Sequence, residues 1–204
     1  MLKSLEQPLH SHDYIVICYN SRGVGRSTGW SSFTGLSEAK DLEDLVQWGL
    51  ETYPNVRSVL IVVRRSTSTS FQVPIVLYKG YSHGSLIASL QSILPAPVKT
   101  SHILISYPLG TRGLLTLFRS STYASALRSL IQSPTGNVLV IYGDKDEFTS
   151  GSKYDIWSEE LQNDAKGDGK GRLKVVKVAG GSHFWRVIDG KEMTDAVGQW
   201  LLGG

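Results

Sequence analysis

A serine flanked by two glycines stands where an apolar, β-rich run passes into a helical pattern. The run at residues 74–78 is followed by GYSHG at residues 80–84, which has the form G-x-S-x-G. A strand-to-helix turn of this kind lifts the serine hydroxyl clear of a sheet, and the small residues Gly80 and Gly84 let the strand and the helix approach closely. The pattern predicts Ser82 as a nucleophile, with a purely structural glycine turn as the alternative.

Two later segments supply the other groups that a nucleophilic serine requires. Imidazole can take the hydroxyl proton, and a carboxylate can orient the imidazole and stabilise its cation. Asp144 and Asp146 follow the apolar run at 137–142, and His183 follows the run at 173–179. Both segments lie just past the ends of predicted strands, where open α/β sheets place their sites. The chain order serine, aspartate, histidine is one that such triads use.

Other polar motifs are weaker candidates for a site. His10 and His12 form a close pair but lack further metal ligands. The glycine-rich run at 23–29 follows an apolar run, but Thr28 stands where the third glycine of a dinucleotide-binding motif belongs, and residues 30–35 separate it from the next helix. We therefore expect neither a metal nor an organic cofactor.

Short apolar runs alternate with helical patterns along the chain. Such runs are typical of strands that are covered on both faces, and their alternation with helices favours an α/β fold with a mostly parallel sheet and helices on both faces. The predicted strands are 14–19, 74–78, 102–107, 137–142 and 173–179, and the predicted helices are 37–50, 84–94, 114–131, 154–162 and 192–202.

Residues 58–72 fit this alternation less well. They join an apolar run to two arginines and a tract rich in serine and threonine. The segment is either an extra strand with a loop or a foreign insertion, and the sequence leaves both open.

Composition favours one globular domain over residues 1–204. The chain is 41% hydrophobic and 19% charged, with a net charge of +3 and no basic stripe, so we expect no nucleic-acid partner. The single cysteine, Cys18, cannot form an internal disulfide and fits a reducing compartment. Because neither a signal peptide nor a membrane span is recognisable, we expect a cytoplasmic protein with no membrane contact, whereas the oligomeric state is not specified.

Four motifs are spread over most of the chain: YNSRGVGRSTG at 19–29, GYSHG at 80–84, YGDKDEF at 142–148 and GGSHFW at 180–185. Together they resemble the α/β-hydrolase superfamily, and within it the small hydrolases related to serine aminopeptidases and Xaa-Pro dipeptidyl-peptidase-like esterases. The resemblance implies that the acid is Asp146, three residues after the glycine that ends its strand, while Asp144 is a turn residue. It also implies that His183 is the base and that Arg22 has a structural role in the floor of the site.

The resemblance further implies two backbone N–H donors for the oxyanion. One belongs to His83, and the other to a loop after an earlier strand that we do not find before Asp13, so we expect an N-terminally shortened version of the fold. Losing one donor commonly lowers turnover by about a hundredfold to a thousandfold. We therefore expect either a serine hydrolase that cleaves a small-molecule ester or amide, or a non-catalytic hydrolase-like binding protein.

Residues 110–133 lie where relatives carry a cap over the pocket. The segment contains several large apolar side chains, which suit either a small cap or an ordinary packed helix. The sequence leaves both possibilities open.

Overall fold

A computed structural model describes residues 5, 9–11, 14–17, 19–32, 34–63, 77–80, 82–110 and 119–203. In these ranges a single sheet contains the strands β1 (Ser58–Val63), β2 (Leu77–Gly80), β3 (Lys99–Ile105), β4 (Asn137–Gly143) and β5 (Arg172–Val178). The strand order is β2-β1-β3-β4-β5, and every neighbouring pair is parallel. The predicted parallel sheet is confirmed, and the carboxyl ends of all its strands lie along one edge.

Helices cover both faces of this sheet. They are α1 (Leu36–Thr52), α2 (His83–Leu90), α3 (Ser120–Gln132), α4 (Gly151–Asp164) and α5 (Val187–Leu202). None of the helices in the described ranges has the length and apolar character that a membrane span needs.

Strand residues alternate between two apolar layers, as the period of two in a β-strand requires. In β1, Val59 and Ile61 pack with buried residues of α1 to α4, whereas Leu60 and Val62 pack with the layer that α5 covers. Trp200 of α5 is buried in the second layer. The nearly continuous apolar runs in the sequence reflect this burial on both faces.

Three of the predicted strands, 102–107, 137–142 and 173–179, coincide with β3, β4 and β5 within a few residues. The prediction for residues 14–19 is wrong, because among the described residues there only Ile15 makes a bridge. Its apolar residues are used in packing instead, with Val16 buried in the layer that α5 covers and Ile17 packed against the other layer.

The segment 58–72 begins with a strand, since residues 58–63 are β1. The rest of that segment and the first residues of the predicted strand 74–78 lie outside the described residues, as do His12, Cys18 and Tyr81.

Part of the expected cap is an ordinary packed helix. Tyr123 and Leu127 of α3 are buried in the layer shared with α1, α2 and α4. Residues 111–118 lie outside the described residues, so the cap itself stays a prediction.

Four helix ends differ by three or more residues from those predicted. α2 stops at Leu90 rather than residue 94, α3 begins at Ser120 rather than residue 114, α4 begins at Gly151 rather than residue 154, and α5 begins at Val187 rather than residue 192. α2 ends where Gln91 adopts extended backbone, with φ −70° and ψ 117°.

Candidate active site

Ser82 lies on a sharp turn between β2 and α2. Its φ of 55° and ψ of −125° place a non-glycine residue in a region that L-amino acids rarely adopt. Such strain persists only where surrounding contacts hold the backbone, and it is the geometry expected of a nucleophile presented at a strand-to-helix turn.

Contacts on both sides hold this turn. The N–H of Ser82 donates to the carbonyl of Ile105, at the end of β3, over 3.0 Å. The carbonyl of Ser82 accepts hydrogen bonds from Ser85, from its N–H at 2.9 Å and from its hydroxyl at 2.6 Å. The strained residue is therefore fixed at the carboxyl edge of the sheet.

His83 is the first residue of α2. Partial positive charge gathers at the N-terminus of a helix, so the His83 N–H is suited to face negative charge. Its ring lies near Gly35, since a Cβ added to Gly35 would come 3.4 Å from Nε2 of His83. The residue thus combines a backbone group at the turn with a side chain used in packing.

Asp146 is buried in the loop after β4 and is hydrogen-bonded through both carboxylate oxygens. Oδ1 accepts from the N–H groups of Phe148 at 2.8 Å and Thr149 at 3.0 Å. Oδ2 lies 2.7 Å from Nδ1 of His183 and 3.4 Å from the hydroxyl of Tyr154. Burial raises the pKa of this carboxyl, but the hydrogen bonds from His183 and the two N–H groups outweigh burial, so its pKa is lowered. The group is a carboxylate at neutral pH.

Asp144 has a different contact. Its Oδ1 accepts from the N–H of Gly180 at 2.7 Å, which fixes the start of the loop that carries His183. The geometry therefore brings Asp146, and not Asp144, to the imidazole.

The loop that carries His183 is held by carboxylates along its backbone. Asp189 of α5 accepts from both the N–H and the hydroxyl of Ser182 at 2.9 Å, and Glu147 accepts from the N–H of His183 at 2.7 Å. The His183 side chain is buried, and its Nδ1–H faces Asp146, which leaves Nε2 as the basic nitrogen.

Two glycines let the acid loop and the base loop touch. A Cβ on Gly143 would lie 2.0 Å from the carbonyl oxygen of Gly181. Next to this contact, the N–H of Lys145 donates to Gly181 over 3.0 Å. The close backbone approach sets the separation between Asp146 and His183.

Ser106 connects the segment that holds Ser82 to the loop that carries His183. This residue follows Ile105, which holds Ser82, and its φ is 50°. Its hydroxyl accepts from Nε1 of the buried Trp185, two residues after His183, over 2.9 Å. Through these contacts the fold brings Ser82, Asp146 and His183 to one edge of the sheet.

Arg22 connects the glycine-rich loop to α1. Its guanidinium makes a two-pronged contact with Asp41, with Nε at 2.8 Å and Nη2 at 2.5 Å, and Nη2 also donates to the carbonyl of Ser37 at 3.3 Å. A small cavity of about 50 Å³ lies between this loop and the turn, lined by Ser21, Ser31, Ser32, Glu38, His83, Gly84 and Ile87. In this lining, the carboxylate of Glu38 accepts hydrogen bonds from the N–H and the hydroxyl of Ser32. The contacts of Arg22 are those of a residue that shapes the loop.

Sequence reasoning missed Ser106, Glu147 and Tyr154. Glu147 stands inside the YGDKDEF motif and could have been noticed there, since it directly follows Asp146. Ser106 and Tyr154 carry no local signal, because their contacts depend on how distant segments pack. Within the described ranges, histidine, cysteine, aspartate and glutamate form no group of three or more arranged to hold a metal.

The overall fold is similar to that of several solved structures. A protein of unknown function from Agrobacterium tumefaciens gives a TM-score of 0.69 at 19% identity, over 98% of this chain and 74% of that chain. The esterase Pf2001 from Pyrococcus furiosus gives a TM-score of 0.63 at 18% identity, over 98% and 74% of the two chains.

An α/β serine hydrolase homologue from Coxiella burnetii gives a TM-score of 0.52 at 19% identity, over 89% of this chain and 64% of that chain. The chain thus spans less than two thirds of that homologue. Comparisons with protein-family models and with curated proteins gave no match. The sheet, the turn at Ser82 and the solved structures agree, and the chain has the fold of the α/β-hydrolase superfamily.

Proposed function

We propose that this protein is a serine hydrolase that cleaves small-molecule esters, with Ser82 as nucleophile, His183 as base and Asp146 as the acid that orients the base. The observation that carries the proposal is the buried 2.7 Å contact between Asp146 and His183, held at the same sheet edge as a serine in a strained turn conformation. An orienting carboxylate, an imidazole and a nucleophilic serine are the parts that acyl transfer requires.

The reaction proceeds in two halves. Ser82 Oγ attacks the ester carbonyl carbon and passes its proton to Nε2 of His183, while the carbonyl electron pair moves onto oxygen, next to the His83 N–H. The tetrahedral intermediate then expels the alcohol, which takes the proton from His183, and an acyl group remains on Ser82. Water repeats the sequence on the acyl group, which releases the carboxylic acid and restores Ser82.

The test is covalent labelling with a fluorophosphonate probe together with hydrolysis of p-nitrophenyl acetate. We expect the wild-type protein to take up one probe molecule, and Ser82→Ala to lose both labelling and turnover, the latter by at least about a thousandfold. Asp146→Asn should lower turnover by about a thousandfold to ten-thousandfold, because the neutral amide no longer fixes the imidazole tautomer or stabilises its cation.

Ser152→Ala is the matched control, since Ser152 is an exposed serine of α4. It should label and react like the wild type. A folded wild-type protein that takes up no probe would exclude the proposal, and ligand binding without turnover would instead support a non-catalytic binding protein.

A further inference from the structure

Two phenylalanines contact the imidazole of His183 and remain half exposed. Phe148 is 47% exposed and Phe184 is 52% exposed, whereas His183, which both rings contact, is 4% exposed. The ring centroids of Phe148 and Phe184 lie 4.6 Å and 5.6 Å from that of His183. Single apolar side chains on a surface are ordinary, but a pair in contact with a candidate catalytic base is a feature that calls for a reason.

The two phenyl rings form a corner. Their centroids are 6.1 Å apart and their planes meet at 73°, so the corner offers ring faces and edges in two directions. The corner is also anchored, because the N–H of Phe148 donates to Asp146 and Phe184 is covalently next to His183. A third aromatic ring or a bulky alkyl group can pack into such a corner by edge-to-face or offset stacking.

The chemistry of the imidazole says which part of a substrate meets this corner. His183 must deliver its proton to the oxygen of the departing alcohol, so that oxygen comes within hydrogen-bond reach of Nε2. The carbon skeleton attached to that oxygen is therefore held close to the imidazole, which both phenyl rings contact. The acyl group, in contrast, is attached to Ser82.

We infer that Phe148 and Phe184 form the binding corner for the alcohol part of the ester, and that the protein prefers esters of aromatic or bulky alcohols over esters of small ones. This inference rests on the proposed function and names its substrate class. Phe148 and Phe184 act as specificity residues and take no part in bond breaking.

The experiment compares benzyl acetate with methyl acetate, which share the acyl group and release primary alcohols of similar acidity. Titration of the released acetic acid gives kcat/KM for both. We expect the wild-type protein to favour benzyl acetate by on the order of tenfold or more. The double variant Phe148→Ala, Phe184→Ala should reduce this ratio to about threefold or less, and Phe148→Leu with Phe184→Leu should give an intermediate ratio.

Trp48→Ala serves as the matched control. Trp48 is 49% exposed and belongs to α1 near the end that leads into β1, at the opposite edge of the sheet from His183. The benzyl-to-methyl ratio should stay unchanged in this variant. Because the replaced rings are half exposed, circular dichroism should show a folded double variant.

Several outcomes would overturn the inference. A benzyl-to-methyl ratio near one in the wild-type protein, or an unchanged ratio in the double variant, would overturn it. Turnover of methyl acetate in the same experiment would leave the proposed function intact. The inference would also be overturned if the double variant lost a preference for methyl phenylacetate over methyl acetate but kept its preference for benzyl acetate. The corner would then bind the acyl group rather than the alcohol. A folded protein that turns over none of these esters would overturn the proposed function and this inference with it.

Discussion

At the scale of single residues, the side chain and the backbone of the candidate base, His183, are held by two consecutive residues of another loop. Asp146 accepts from Nδ1 of His183, and Glu147 accepts from the His183 N–H, each over 2.7 Å. The first contact selects the ring tautomer, whereas the second fixes the backbone from which the ring projects. Because Glu147 acts only through His183, it is a positioning residue.

We predict that Glu147→Ala lowers kcat for p-nitrophenyl acetate by about tenfold and leaves KM nearly unchanged, because a small displacement of a catalytic group is costly to turnover. Glu147→Gln should keep most of kcat, because its amide oxygen can still accept from the His183 N–H. Steady-state kinetics would check both values. Glu159→Ala, a change at an exposed position of α4, is the control. Equal losses in the alanine and glutamine variants would contradict a positioning role through this hydrogen bond.

At the scale of elements, the two loops that carry Asp146 and His183 depend on a backbone contact between β4 and the residues after β5. Gly143→Ala would place a Cβ 2.0 Å from the carbonyl oxygen of Gly181. Both groups belong to the backbone, so neither can move away as a flexible side chain could. We predict a loss in the free energy of unfolding of about 1–3 kcal/mol and a parallel drop in esterase activity.

Chemical denaturation of Gly143→Ala checks this prediction. The control is Gly203→Ala, because a Cβ there would meet the far end of the flexible Arg172 side chain at 3.2 Å and the carbonyl oxygen of Gln199 at an ordinary contact distance of 3.8 Å. An unfolding midpoint for Gly143→Ala equal to that of the wild type would show that the loops adjust to the added methyl group.

The sequence predicts those elements that carry their own pattern. β4 is an almost wholly buried apolar run, β3 becomes one over its last three residues, and β5 is recognisable from its leucine and valines. The G-x-S-x-G turn places Ser82 by local rules alone. The failure at residues 14–19 has another origin, since apolar residues there are packed against the two layers without forming a strand, so an apolar run alone does not specify one. The hydrogen bond between Ser106 and Trp185 could not be predicted either, because it joins residues that are far apart in the chain.

At the scale of the whole molecule, a histidine in the middle of the sheet couples folding to pH. His102 lies on β3 between Ile61 of β1 and Val138 of β4 and is fully buried. Its Nε2–H donates to the carbonyl of Gln91 at 2.9 Å, and its Nδ1 has no hydrogen-bond partner among the described residues. Burial lowers the pKa of His102 to about 4, although the hydrogen bond to Gln91 opposes the shift.

The unfolded chain protonates His102 near its ordinary pKa of 6.5, whereas the folded chain protonates it only near pH 4. Between these values the unfolded state binds more protons, so the contribution of this residue to stability is complete above pH 6.5 and is lost as the pH falls toward 4. Between pH 7 and pH 5 we expect a loss of about 2 kcal/mol in the free energy of unfolding from His102 alone.

His102→Gln keeps an N–H donor and does not titrate, so urea unfolding at both pH values should show a smaller decrease for the variant than for the wild type. The difference between the two decreases isolates His102 from the carboxylates that both proteins share, and identical decreases would mean that protonated His102 is tolerated in the folded sheet.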